Sequence, residues 1–246
     1  MSSERQEYNE VSPWWGEHIH RYNEVLKELS GNEVILDIAC GSGFGTHLLA
    51  IHSTGKVYGG DLSNEAIHLC QKTWTKENLA FEIMDGTQLK FKDNYFDIVV
   101  SFETIEHTTD FEIMINEFKR VLKPNGILYL STPNIIINSP SGIVTNPFHT
   151  QEWNYDEFKI IIDNKFNNYQ IYGQHYARYD IKKGLAFFIE KIMYQRGIRK
   201  IPILIQDKIM NLFGKPSMYP LSSEFELVKD VNTITNCKTF FAVCQK

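Results

Sequence analysis

Asp37 and Asp61 each close a short apolar run, and between them lies a turn carrying Gly41, Gly43 and Gly45. Glycines in such a turn let backbone N–H groups approach a ligand closely and adopt φ > 0 where the turn requires it. The dinucleotide fingerprint needs a third glycine where this chain has Thr46, and Gly45 comes one residue early. A phosphate-cradling P-loop needs Gly-Lys-Ser/Thr, and no lysine occurs between Glu33 and Gly55. Asp37 would also face a pyrophosphate across a short gap, so it suits a ligand with a cationic end. Asp61, at the end of the next parallel strand, can accept from both hydroxyls of a ribose, each charge-assisted bond contributing roughly 1.5–3 kcal/mol. The ligand these groups describe is an adenosine at one end and an amine at the other.

Parallel strands must present these groups, and the hydrophobic pattern supplies them. Strands are predicted at 34–36, 56–60, 79–84, 96–102 and 127–131, separated by helices at 46–53, 64–76 and 111–122. The run 96–102 is apolar without alternation, as a strand buried on both faces would be. Its carboxyl end delivers Glu103, Glu106 and His107 to the edge where open α/β sheets bind ligands. Lys123-Pro124-Asn125-Gly126 reads as a turn. A loop rich in Pro, Asn, Ser and Gly follows Asn134, and a loop of that length past a strand end is more often functional than filler. A helix at 153–164 and strands at 169–176 and 239–245 complete the pattern. Ahead of the first strand, Val25, Leu26 and Leu29 give an N-terminal helix an apolar stripe, and Ser30-Gly31-Asn32 ends it.

DIACGSGFGT at 37–46, Asp61, Met84-Asp85-Gly86, FDIVVSFETIEH at 96–107 and LKPNGILYLSTPN at 122–134 resemble, in order and spacing, the successive motifs of the class I S-adenosylmethionine-dependent methyltransferases. The resemblance covers roughly residues 17–175. It implies an α/β, Rossmann-like, doubly wound sheet of seven strands whose last strand enters antiparallel. Three regions are expected: a helical N-terminal cover over the cofactor site at 1–30, a core at 31–176 and 237–246, and an insertion at 177–236 serving as lid or dimer element.

The implied cofactor is S-adenosylmethionine, and the matching positions are Arg21, Tyr22, Asp37, Ala39, Gly41, Gly43, Asp61, Leu62, Asp85, Gly86, Phe102 and Glu103. Arg21 and Tyr22 are candidates to hold the methionine carboxylate, since a guanidinium offers a bidentate fork. Asp85 would accept from the adenine amino group, and the Gly86 N–H would reach the ring. Many family members have glycine at the position of Ala39, where alanine adds one methyl group. A methyl on a sulfonium is already activated, which leaves the protein to align the acceptor and receive its proton. His107 is the leading base and His149 the alternative; FHTQEW, with His149 and Glu152, resembles a motif that flanks the acceptor pocket in methyltransferases of glycan and quinone pathways. No dense carboxylate or histidine cluster in the sequence argues for a metal and no metal ligand is named, though a divalent ion could join through acceptor hydroxyls.

Composition sets the outer bounds. The 246 residues, 43% hydrophobic, suit one domain with an appended part, and the longest apolar runs fall short of a membrane span. The polar start of the chain makes a cytoplasmic protein the expectation. Cys40, Cys70, Cys237 and Cys244 show no C-x-x-C pairing and read as reduced core residues. A net charge of −5 argues against nucleic acid as partner, yet 182–215 holds eight basic residues against two acidic ones. That segment could face an anionic, phosphorylated or nucleotide-linked acceptor, or an anionic membrane surface. The function expected is methyl transfer to a hydroxyl of a small molecule, a sugar or nucleotide-linked sugar first, by a monomer or homodimer. A quinone-like, phenolic or lipid acceptor, or a cofactor-binding protein without turnover, are the alternatives.

Overall fold

In the computed structural model residues 14–177 and 221–246, with Ile205 and Lys208, are described. Successive strand residues point to opposite faces of the sheet and so fall into one of two apolar layers. Leu36, Phe96, Leu128 and Phe240 join one cluster with helices α4 (Phe111–Val121) and α6 (Tyr155–Asp163). Ile35, Ile98, Tyr129 and Phe241 join the other with α1 (Trp15–Leu26) and α2 (Phe44–His52). A sheet covered on both faces is the result, with α3 (Asn64–Thr73) beside the first strands and the short α5 (Ile135–Asn138) following the fifth strand.

The strands are β1 (Ile35–Ile38), β2 (Val57–Asp61), β3 (Leu79–Ile83), β4 (Phe96–Phe102), β5 (Leu122–Pro133), β6 (Asn168–Tyr176), β7 (Phe225–Val228) and β8 (Thr239–Gln245). Their order is β3-β2-β1-β4-β5-β8-β6-β7. Strands β1 to β5 are parallel, and β8 runs antiparallel between β5 and β6, as the resemblance implies.

Two expectations are corrected. The sheet has eight strands rather than seven, because Phe225–Val228, inside the segment read as a lid or dimer element, pairs antiparallel with Gly173 to Tyr176 on β6. Four residues are too few to show a strand period in the sequence. The turn expected at 123–126 is an outward excursion within β5. Phe96 pairs with Leu122 but Ile98 pairs with Ile127, so three extra residues bulge out, with Asn125 at φ +65°. Most of the basic run 182–215 lies outside the described residues. Among the described residues no helix is long and apolar enough to cross a membrane. All four cysteines are buried and none forms a disulfide.

Candidate active site

The acidic groups fan out along the carboxyl edge of the sheet because of the strand register. Asp37 is level with Gly59 on β2, and Asp61 lies two residues further on, level with Ile83 on β3; Asp85 is again two residues beyond. Each step moves one strand sideways and two residues forward, on the order of 8 Å. The staircase suits an extended ligand.

The turn above it is built on left-handed backbone. Ala39, Gly41 and Gly43 have φ of +62°, +56° and +71°, and Gly43 leads directly into α2. The Gly41 N–H donates to Asp61 Oδ2 at 3.0 Å and the Ser63 N–H to Oδ1 at 2.8 Å, which orients that carboxylate. Beside it Leu62 is 68% exposed, an apolar side chain left open next to a charge. At Asp85, Oδ1 accepts from the Thr87 N–H and hydroxyl, as in an ordinary Asp-Gly turn. Gly86 is buried against Met114.

Asp37 is buried, and its oxygens accept from the hydroxyls of Tyr22, at 3.1 and 3.2 Å, and Thr46, at 2.6 Å. Burial pushes its carboxyl up to about 7, although these two bonds oppose the rise. Thr46 thus uses its hydroxyl where a dinucleotide turn has glycine. The Tyr22 ring rests on Gly45, where a Cβ would lie 1.8 Å from Tyr22 Cζ. Its hydroxyl donates to Asp37 and helps to orient that acid.

Arg21 is fully buried. Nη1 donates to Gln174 Oε1 at 2.7 Å and lies 3.9 Å from Glu103 Oε1; Nη2 lies 3.0 Å from His18 Nδ1. Among the described residues its Nε has no hydrogen-bond partner. Burial and the Arg21 charge hold His18 well below the usual histidine range, so it stays neutral and accepts from Arg21. Glu103, at φ +52°, accepts from Ser131 Oγ at 2.8 Å, while Phe102 is packed against Tyr22. Strained backbone at Ala39 and Glu103, a buried guanidinium with an unmatched N–H, and an exposed leucine beside an oriented aspartate all fit S-adenosylmethionine.

His107 and His149, alternatives in the sequence, lie together, their ring centroids 4.9 Å apart and nearly perpendicular. The segment bearing His149 is docked on the turn Ile105–His107: the Thr150 N–H and hydroxyl both donate to the Glu106 carbonyl, and Gln151 Nε2 donates to the Thr108 carbonyl. Two carboxylates that the sequence left without a role stand behind the rings. Glu152 Oε1 is 2.7 Å from His149 Nδ1, and Glu106 Oε1 is 3.9 Å from His107 Nε2. Both acids are buried, and each has one oxygen without a hydrogen-bond partner. Burial and the nearby Glu103 charge raise the Glu106 carboxyl well above the usual range. The Glu-x-x-Glu-His spacing at a strand end is the one sequence signal for Glu106.

Fold and site together define an α/β protein that binds an adenosine-type ligand at the carboxyl edge of its sheet. Residues 36–130 match the family described as a methyltransferase domain. A probable S-adenosylmethionine-dependent methyltransferase of Mycolicibacterium smegmatis is 30% identical over 155 residues, 63% of this chain and 59% of that protein. The demethylmenaquinone methyltransferase of Staphylococcus aureus is 36% identical over 96 residues, 38% of this chain and 40% of that protein. An Archaeoglobus fulgidus structure described as an S-adenosylmethionine-dependent methyltransferase shares the fold, with a TM-score of 0.61 at 15% identity over 94% of each chain. The chain spans little more than half the length of the first curated relatives it matches, 59% and 55%. Residues 36–130 are thus similar to the methyltransferase domain of S-adenosylmethionine-dependent methyltransferases, whose fold the chain shares.

Proposed function

We propose that this protein is an active methyltransferase that moves the methyl group of S-adenosylmethionine to a hydroxyl oxygen of a small acceptor with an apolar body, of quinol, phenol or lipid kind. The observation that carries this reading is the meeting of His107 and His149 at the sheet edge, where two imidazoles can bind an acceptor hydroxyl and stabilise its oxygen as the proton leaves. The cofactor supplies a methyl already activated by the sulfonium. In this reading Asp61 holds the ribose, Asp85 the adenine amino group and Asp37 the amine, while Arg21 faces the carboxylate. Leu62 covers the base, and Gly41, Gly43 and Gly86 keep the backbone open.

The acceptor class rests on the segment leading to His149. There Ile136, Ile137, Ile143 and Phe148 are exposed at 55%, 40%, 73% and 38%, an apolar rim on a loop that could have been polar. The Staphylococcus relative, named for demethylmenaquinone, agrees with that character. A sugar acceptor draws no such support, since the basic segment expected to hold its phosphate lies outside the described residues.

The test is transfer of labelled methyl to a panel of quinols, phenols, hydroxylated lipids and nucleotide sugars. Turnover on an apolar acceptor, lowered about 10²–10⁴-fold in His107→Ala with S-adenosylhomocysteine affinity retained, supports the reading. Turnover confined to nucleotide sugars, or cofactor binding with no transfer at all, overturns it.

A further inference from the structure

Glu106, His107 and His149 are arranged as a set of metal ligands. In His107, Nδ1 lies 3.0 Å from the Phe148 carbonyl oxygen, which can only accept; Nδ1 therefore carries the proton and Nε2 the lone pair. In His149, Nδ1 lies 2.7 Å from Glu152 Oε1, and Nε2 lies 2.9 Å from Asn146 Nδ2. The Asn146 amide is oriented by the Phe148 N–H, which donates to Oδ1 at 3.0 Å, so Nδ2 is the donor and His149 has the same tautomer. Each ring thus spends its N–H on a fixed oxygen and presents Nε2 as the acceptor nitrogen. A carbonyl or carboxylate on the far nitrogen is how proteins orient histidines that bind metals.

The third donor has a different origin. Glu106 is fully buried, Oε2 accepts from Thr132 Oγ1 at 3.0 Å, and Oε1 has no hydrogen-bond partner. A buried carboxylate oxygen left unmatched is costly, and a cation is the group that would match it. One donor atom from each of Glu106, His107 and His149 can be chosen so that all lie within 4.8 Å of one another. Metal–ligand distances of about 2.1 Å bring donors closer than this, and His107, with a side chain 36% exposed, has room to move inward. Asn146 Nδ2 would withdraw from His149 as the ion enters.

We propose that Glu106, His107 and His149 bind one divalent transition-metal ion, Mn2+, Fe2+, Co2+ or Zn2+ in kind. Two imidazoles and one carboxylate suit these ions better than Mg2+ or Ca2+, and three protein ligands leave coordination positions open. The assignment of the open positions to the acceptor oxygen rests on the function proposed above; there the ion would lower the pKa of the bound hydroxyl. Glu152, on the far nitrogen of His149, is a positioning residue. His107 and His149 stand far apart in the chain, so the sequence alone gives no sign of this cluster.

Full-length protein, stripped with chelator, is titrated with Mn2+ and the free ion followed by electron paramagnetic resonance, with Co2+ absorption as a second readout. One equivalent bound per chain is expected, and His107→Ala, His149→Ala and Glu106→Gln should each weaken it at least about 10-fold, as should Glu152→Gln. S-adenosylhomocysteine affinity, measured on the same samples, reports folding; His107 is exposed enough for its variant to serve if a buried one fails. Substoichiometric binding, or affinity unmoved by His107→Ala and His149→Ala, overturns the proposal. Absence of methyl transfer by the unaltered protein would instead overturn the functional reading, and the metal titration is scored independently of turnover.

Discussion

Ala39 adopts φ +62°, a conformation that costs a residue with a Cβ on the order of 1–2 kcal/mol. The glycine common at this position in the family is explained by that angle, and alanine here leaves the turn intact but strained. Ala39→Gly is expected to raise unfolding stability by about 1 kcal/mol, less the added entropy of the unfolded chain, as measured by denaturant titration. Asp37 has the opposite kind of signature. Its carboxyl stands at about 7 against an ordinary 3.8, so the folded chain binds a proton that the unfolded chain releases. The stability this contributes is present below pH 3.8 and lost as pH rises towards 7, an amount of roughly 4 kcal/mol at most. Asp37→Asn should flatten that part of the pH profile; an unchanged slope between pH 4 and 7 would refute the assignment.

At the scale of elements, one side chain of β6 makes several hydrogen bonds to α1. Gln174 accepts from Arg21 Nη1, donates to the Glu17 carbonyl at 2.9 Å and lies 3.1 Å from His20 Nδ1. Gln174→Ala leaves the buried guanidinium short of a partner, and a loss of about 2–3 kcal/mol is expected, with faster proteolysis around Trp15–Leu26. Gly45→Ala acts from the other side, because its Cβ must displace the Tyr22 ring. It should release Tyr22 from Asp37 and lower cofactor affinity together with stability. The loop before α6 is fixed at its far end by a capping box, in which Asn154 and Glu157 satisfy each other's backbone N–H groups. Both ends of the His149 segment are therefore tied, one to Glu106 and one to α6.

Across the whole molecule, the strand order reverses between β1 and β4, the place where open α/β sheets leave a crevice. Asp37 ends one of these strands and Glu103 to His107 follow the other, so the cofactor edge and the histidine pair meet at that crevice. A ligand bound only by the folded chain stabilises it by about 2.7 kcal/mol at 100 times its dissociation constant. S-adenosylhomocysteine should raise the unfolding temperature accordingly, and Asp61→Ala should shrink the shift at the same ligand concentration. The sequence by itself determined the parallel core and the succession of acids, because apolar runs, glycines and strand-end residues are local features that neighbouring residues specify; the antiparallel last strand was implied by the family resemblance alone. It could not show that His107 and His149 adjoin, that Glu106 and Glu152 are buried behind them, that Tyr22 serves Asp37, or that Phe225–Val228 adds an eighth strand. Those facts depend on contacts between segments distant in the chain, which only the packing of loops and helices on the finished sheet brings together.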